Sequence, residues 1–260
     1  MTTARDARKD HAVEVHSAQA GLFAARYREL DLDPYASCFN YSRHRLEAFF
    51  DRLLPARGDG LRLLDVGCGT GHHLARARAR GFTVAGVDGS PEMLEQAARA
   101  CPEAELRRCD VEALPFPPGG FDVVLSIEVL RYLPDVRAGV SELARVTRAG
   151  GTCLATASPL FNLSGYPVLN RLASALPLGN LVRLRQFFHT SPGLRRRFRS
   201  AGFSQVATHG VYLGPINWVE RLAPGILPRA LRRWEPLDAR LADLPLVREG
   251  SGMLLVHAVR

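Results

Sequence analysis

Leu63-Leu64-Asp65-Val66-Gly67-Cys68-Gly69-Thr70-Gly71 is the stretch on which the fold of this chain turns. An apolar run of strand type ends in three glycines at alternate positions, and a helical pattern, His72 to Arg80, begins at once. Glycine tolerates positive φ and lets a ligand reach the backbone with no Cβ in between. A loop of this kind at the carboxyl end of a first strand is where open α/β sheets take up nucleotide-like ligands. The dinucleotide fingerprint G-x-G-x-x-G would require glycine where His72 stands, so the spacing here, G-x-G-x-G, points to a different ligand.

Outward from the loop the same alternation continues. Leu61 to Val66, Phe82 to Val87, Phe121 to Ile127 and Gly151 to Ala157 read as short buried strands, with a weaker one around Leu106. His72 to Arg80, Pro91 to Ala100 and Val136 to Thr147 read as the helices between them. Buried strands alternating with three-turn helices predict a doubly wound α/β sheet, mostly parallel and covered on both faces. Upstream, Leu22, Phe23, Tyr27, Tyr35, Phe39, Tyr41 and Phe49 predict two or more helices between Ala18 and Phe50, broken at Asp33-Pro34. Downstream, Pro159 to Phe188 interrupts the alternation with Gly165, Pro167, Pro177 and Gly179 among leucines and reads as an inserted, partly helical lid, expected to make an acceptor pocket together with the N-terminal helices around Tyr27 and Tyr41. A helix from Pro192 to Ala201, closed by Gly202, leads to a strand around Ser204 to Tyr212. A Pro-rich connection, Gly214 to Pro245, then precedes a last strand, Met253 to Val259, and the last two strands are expected to pair as an antiparallel edge hairpin. The expected organisation is one domain: a helical cap over 1–60, a ligand-binding core over 61–158, the insert over 159–191 and a C-terminal helix with edge strands over 192–260.

A chain of 260 residues, 47% of them hydrophobic, has enough apolar side chains for one large core. The five cysteines include no C-x-x-C pair and lie mostly in apolar segments, which predicts reduced thiols in a cytoplasmic protein. Met1 to Asp10 carries charges of both signs with no apolar run behind it, so a secretory signal is not expected, and no run reaches the roughly 18 apolar residues of a spanning helix. The net charge of +8 raises the question of a nucleic-acid partner. Lys9 is the only lysine, however, and a chain built on Arg, Ala, Gly and Pro carries the composition of a GC-rich genome. The cluster Arg195, Arg196, Arg197 and Arg199 would fan over more than one helix face, so a nucleic-acid partner is not expected.

Asp65-Val66-Gly67-Cys68-Gly69-Thr70-Gly71 is similar to motif I of the class I S-adenosylmethionine (SAM)-dependent methyltransferases, in the small-molecule group that includes quinone-biosynthesis enzymes. The resemblance extends well over Arg62 to Ala157 and less well over Pro192 to Tyr212. It implies a Rossmann-like, seven-stranded sheet, with SAM as cofactor. Gly67, Gly69 and Gly71 would line the methionine and ribose portion, with Asp65 near the amino group; the alternative for Asp65 is a carboxylate capping loop amides. Cys68 is not expected to act as a nucleophile. Asp88 stands at the end of the second strand, about 20 residues past the loop, where an acid can accept both ribose hydroxyls. Its other possible role, capping the helix from Pro91, suits Ser90 better. By analogy Asp110 would meet the adenine amino group and Val111 the ring, or Asp110 is a plain loop acid, and Ile127 joins the cofactor set from the fourth strand.

Many relatives carry histidine in the turn after that strand, whereas this chain has Arg131-Tyr132. An ordinary tyrosine is protonated at neutral pH, which suits Tyr132 to positioning a substrate rather than deprotonating it. The remaining catalytic candidates are His72 and His73, after the loop, and His189, ahead of a helix start at Thr190-Ser191-Pro192; a surface or capping role is the alternative for each. No His or carboxylate pair has metal-ligand spacing. The expected reaction is methyl transfer to a small, apolar organic acceptor, at oxygen, in bacterial biosynthesis. The alternatives are an RNA or protein methyltransferase, or a SAM-binding enzyme such as a cyclase that does not methylate.

Overall fold

A computed structural model describes residues 4–168, 170, 186–214 and 216–260. Three helices come first: α1 (Ala4–Ser17), α2 (Ala20–Leu32) and α3 (Cys38–Leu53). Then β1 (Arg62–Val66), α4 (His72–Ala79), β2 (Thr83–Asp88), α5 (Pro91–Ala100), β3 (Glu105–Arg108), β4 (Phe121–Ser126), α6 (Val136–Val146) and β5 (Thr147–Pro159) make the alternating core. After the insert come β6 (Phe188–His189), α7 (Ser191–Ser200), β7 (Gln205–Gly210), α8 (Ile216–Leu222), α9 (Leu227–Leu241) and β8 (Leu254–Val259).

The main sheet runs β3-β2-β1-β4-β5-β8-β7. Strands β1 to β5 pair in parallel, and β8 is antiparallel to both β5 and β7. The expected C-terminal hairpin is thus present, with its second strand inside and its first at the edge. Successive residues of the central strands go to opposite faces. Leu64 and Val66 join a cluster with Val140 and Leu143 of α6 and Leu194 and Phe198 of α7. Leu63 and Val84 join Leu46, Phe49 and Phe50 of α3 and Leu74 of α4 on the other side. Truncating one of these, Leu64→Ala for example, should cost about 2–5 kcal/mol. The division into two apolar layers is the physical content of the doubly wound pattern.

Several expectations need correction. Among the described residues the sheet has eight strands rather than seven. Strand β5 outruns the expected Gly151 to Ala157, and its overhanging Ser158 and Pro159 pair with Phe188 and His189, a strand too short to leave a periodic signal. A helix, α1, forms ahead of the predicted start at Ala18. The Pro-rich connection from Gly214 contains two helices, because Pro228 falls in the first turn of α9 where no intrahelical N–H is needed. Helices α8 and α9 close on α3 through Tyr41, Ile216, Leu227 and Leu231. Inside that contact the Tyr41 hydroxyl donates to Asp238 at 2.5 Å, and the Leu213 N–H donates to the same carboxylate at 2.7 Å. All five cysteines are free thiols. Among the described residues no helix is long and apolar enough to cross a membrane.

Candidate active site

Strand β1 delivers the chain into the glycine loop, and β2 anchors it: the N–H groups of Gly67 and Cys68 both donate to the Val87 carbonyl, at 2.7 and 2.9 Å. Gly67, Gly69 and Gly71 all have positive φ, between 51° and 81°. Their surroundings differ. A Cβ on Gly67 would lie 2.3 Å from Val129 Cγ2, and one on Gly71 would lie 2.7 Å from the Ala97 Cα of α5. A Cβ on Gly69 would meet nothing closer than Met93 Sδ at 4.0 Å. Gly69 therefore faces open space, while Gly71 lets α4 approach α5. Gly71 is absent from the lining of the cavity that the loop floors, contrary to the expectation of ligand contact.

That cavity measures about 810 Å³. Gly67, Gly69, Asp88, Asp110, Val111 and Ile127 all line it, so the strand ends bring most of the expected cofactor residues together. Asp88 Oδ2 accepts the Gly69 N–H and Oδ1 the Ser90 N–H, both at 2.9 Å, so this acid also holds the loop. Burial raises its pKa, against the pull of those amides. Ser90, as expected, caps α5 through the Met93 N–H. Asp65 sits behind the loop, 1% exposed, and neither of its oxygens has a hydrogen-bond partner. Burial, with the Asp88 carboxylate nearby, pushes its pKa up to about 7. Asp110 is not a free acceptor: its Oδ2 takes the Lys9 ammonium of α1 at 2.5 Å, and Lys9 also reaches Glu112 at 3.0 Å.

The catalytic candidates separate. Tyr132 lines the cavity. His72 does not: its Nε2 lies 2.8 Å from Glu47 Oε1 and its ring stacks on Tyr27 at 4.2 Å, which turns it away from the ligand space. His73 does line the cavity, but burial, reinforced by His72 and Arg43, holds its pKa well below the ordinary value. His189 sits in β6 outside the cavity lining, and burial, with Arg197 nearby, lowers its pKa to about 4.

The roof comes from the N-terminal helices, Tyr27 among them, and includes a helix, α1, that the sequence did not predict. Helices α1 and α2 lie over the cavity, contributing Lys9, Val13, His16, Phe23 and Tyr27, and Gly89 leaves room for the Val13 methyls. The expected lid residues Leu160, Phe161, Leu163 and Val168 are exposed and line nothing here; residues 169 and 171–185 of that insert lie outside the described residues. Tyr41, also expected in the lid, is buried against α9 instead. Also missed were Arg43, from α3, and Glu128, just past β4. Arg43 is buried and lines the cavity, with Nε and Nη1 lacking any hydrogen-bond partner. Glu128 adopts φ 65°, a conformation that costs a non-glycine residue about 1–3 kcal/mol. Its N–H donates to Thr156 Oγ1 at 2.7 Å, and its carboxylate pairs with Arg131 and lies 3.6 Å from Arg43 Nη2. No periodicity marks either residue. Among the described residues no group of three His, Cys, Asp or Glu side chains is placed to hold a metal ion.

Residues 64–155 match the family described as "Methyltransferase domain". A malonyl-[acyl-carrier protein] O-methyltransferase of Serratia marcescens is 38% identical over 36% of this chain and 37% of its own length. A 2-methyl-6-phytyl-1,4-hydroquinone methyltransferase of a Synechocystis strain is 40% identical over 35% of this chain and 30% of that protein. The chain therefore matches only about a third of either relative. The solved structure of a SAM-dependent methyltransferase from Mesorhizobium loti shares the fold, with a TM-score of 0.59 and 20% identity over 83% of this chain and 98% of the other. Residues 64–155, which carry the glycine loop and the acids at the strand ends, match a methyltransferase domain, and the sheet around them has the fold of the Mesorhizobium loti structure.

Proposed function

We propose that the protein transfers a methyl group from SAM to an oxygen of a small, largely apolar organic acceptor in cytoplasmic bacterial biosynthesis. The observation that carries this reading is a pair of buried groups with unsatisfied polar atoms: both oxygens of Asp65 behind the glycine loop, and Nε and Nη1 of Arg43 beside the cavity, whose Nη2 alone faces Glu128. Leaving such groups unpaired is costly, and together they complement the ammonium and carboxylate of an amino-acid head group. Asp65 would hold the amino group and Arg43 the carboxylate. Asp88 would accept the ribose hydroxyls, and Val111 and Ile127 would pack against the base. Bound SAM supplies a methyl group activated by its sulfonium, so the chain's own tasks are to align an acceptor and keep water out.

The roof suits the second task. His16, Phe23, Tyr27 and Tyr132 bring rings to the cavity's outer side, which favours an apolar or aromatic acceptor. The O-methyltransferase name of the Serratia relative agrees with transfer to oxygen. Calorimetric titration with S-adenosylhomocysteine, followed by mass analysis of products formed from labelled SAM and a host extract, tests the reading. Absence of binding would overturn it. Labelled RNA or protein, or SAM bound without turnover, would replace it with the corresponding alternative.

A further inference from the structure

His16, on the last turn of α1, is the imidazole whose surroundings suit proton transfer. Its Nδ1 lies 2.6 Å from the Ala12 carbonyl oxygen. A carbonyl only accepts, so Nδ1 carries the proton and the lone pair resides on Nε2. The plane of the ring is set by Phe23, stacked at 5.8 Å, and by Tyr132, edge-on at 5.0 Å. His16 lines the same cavity as Gly69 and is close enough to Asp88 to act on its charge. With the amino-acid end of SAM at Arg43 and Asp65 and its ribose at Asp88, as proposed above, the sulfur would fall between them. His16, packed against Tyr132 and lining the cavity with Asp88, would border that interval.

We infer that His16 is the general base of the transfer and that the acceptor presents a neutral hydroxyl group, an assignment that rests on the SAM reading above. Nε2 takes the hydroxyl proton while the oxygen forms its bond to the methyl carbon. The carbon–sulfur bond breaks, its electron pair stays on sulfur, and a neutral thioether remains. The imidazolium later returns its proton to solvent. One positive charge is present before and one after, moved from sulfur to an imidazole that lines the same cavity as the Asp88 and Glu128 carboxylates, so the net charge in the cavity does not change. Neighbouring candidates are less suited. His72 is tied to Glu47, His189 lies outside the lining, and the surroundings of His73 oppose its taking a proton.

His16→Phe keeps the ring packing and removes the nitrogen. It should bind S-adenosylhomocysteine as the wild type does. Its transfer to phenol, whose hydroxyl ionises near pH 10 like that of tyrosine, should fall roughly 10²–10⁴-fold. Transfer to a nitrophenol already ionised at the assay pH should fall far less, because no proton remains to be removed. Added imidazole should restore part of the activity of His16→Ala. Equal losses on both phenols, no loss on either, or failure of imidazole to rescue would overturn the assignment. So would a wild type that binds S-adenosylhomocysteine yet methylates no phenol or aliphatic alcohol. A wild type that does not bind it would overturn the methyltransferase reading instead.

Discussion

The floor and the roof of the cavity are built to different standards. The floor is backbone: strand ends whose side chains, Val66 and Val87, are buried in the same apolar layer, and a loop bonded to its neighbour strand. The roof is two helices with little apolar anchorage. Of residues 9–17 of α1 only Ala12 is buried, α2 buries Ala20 and Leu30, and Leu22 and Leu32 of α2 are 49% and 86% exposed. Polar contacts hold α1 down instead, from Lys9 to Asp110 and Glu112 and from Ser17 to Ser90. Regions with few buried apolar contacts open at lower free energy than the core. Ligand exchange should therefore proceed through the roof while the floor stays fixed.

The harshest test of a rigid floor is Gly71→Val. The branch would press on the Ala97 backbone while forcing a β-branched residue to positive φ, so stability should drop by about 2–6 kcal/mol, read as a large fall in Tm. A mild effect would mean that α4 and α5 can part and that the floor is soft. Gly69→Ala is the contrasting variant, since its Cβ meets no wall; it should stay folded and lose cofactor affinity.

Asp88→Ala comes next. It would remove the proposed acceptor for ribose and removes a support for Gly69, and hydrogen bonds to charged groups are worth about 1.5–3 kcal/mol each. Calorimetry should show affinity for S-adenosylhomocysteine lowered at least about tenfold in a folded protein. Unchanged affinity would remove Asp88 from the site.

The third test is the protonation of Asp65. Its pKa in the folded protein, about 7, lies above the ordinary 3.8, so the native state binds the extra proton. This group's contribution to stability is thus fully present below pH 3.8 and is lost as pH rises toward 7. Against Asp65→Asn, the unliganded wild type should lose relative stability across that interval. A cation placed beside Asp65 favours its ionised form, so ligand binding near pH 7 should release up to one proton, measurable as a buffer-dependent heat. No proton release would place the ammonium elsewhere.

Lys9→Ala should have the smallest effect. A partly exposed ion pair contributes about 1 kcal/mol or less, so the variant should keep its Tm and release S-adenosylhomocysteine only a few times faster in stopped flow. If release does not change at all, α1 is not the gate.

What could be read from sequence divides along the same line. The floor is legible because a strand, a glycine loop and acids at strand ends each follow from local backbone needs, and Asp65, Asp88 and Asp110 stand where those needs put them. The distinct job of Gly71 was not legible, since which glycine meets ligand and which meets α5 is decided by a helix 26 residues away. The α1 part of the roof left still less trace. Ala4 to Ser17 has no apolar stripe, so α1 showed no periodicity to find. Arg43 looks like any helix arginine until α3 is laid against the sheet and buries it. His16 acquires its tautomer and its neighbours only when α1 crosses the cavity.

The order of the sheet has one more consequence, for synthesis. Strand β8 lies between β5 and β7, yet its residues, Leu254–Val259, are the last of the eight strands to be made. While the chain is emerging from the ribosome, β1 to β5 can pair as they appear, but β7 waits with no strand beside it and β5 presents an open edge. An open edge can recruit strands from other molecules, so this interval is when the nascent protein is most exposed to misassembly. The glycine loop and its acids can be in place before β8 arrives, which would let a cofactor bind and steady the unfinished sheet at the stage when it most needs a ligand.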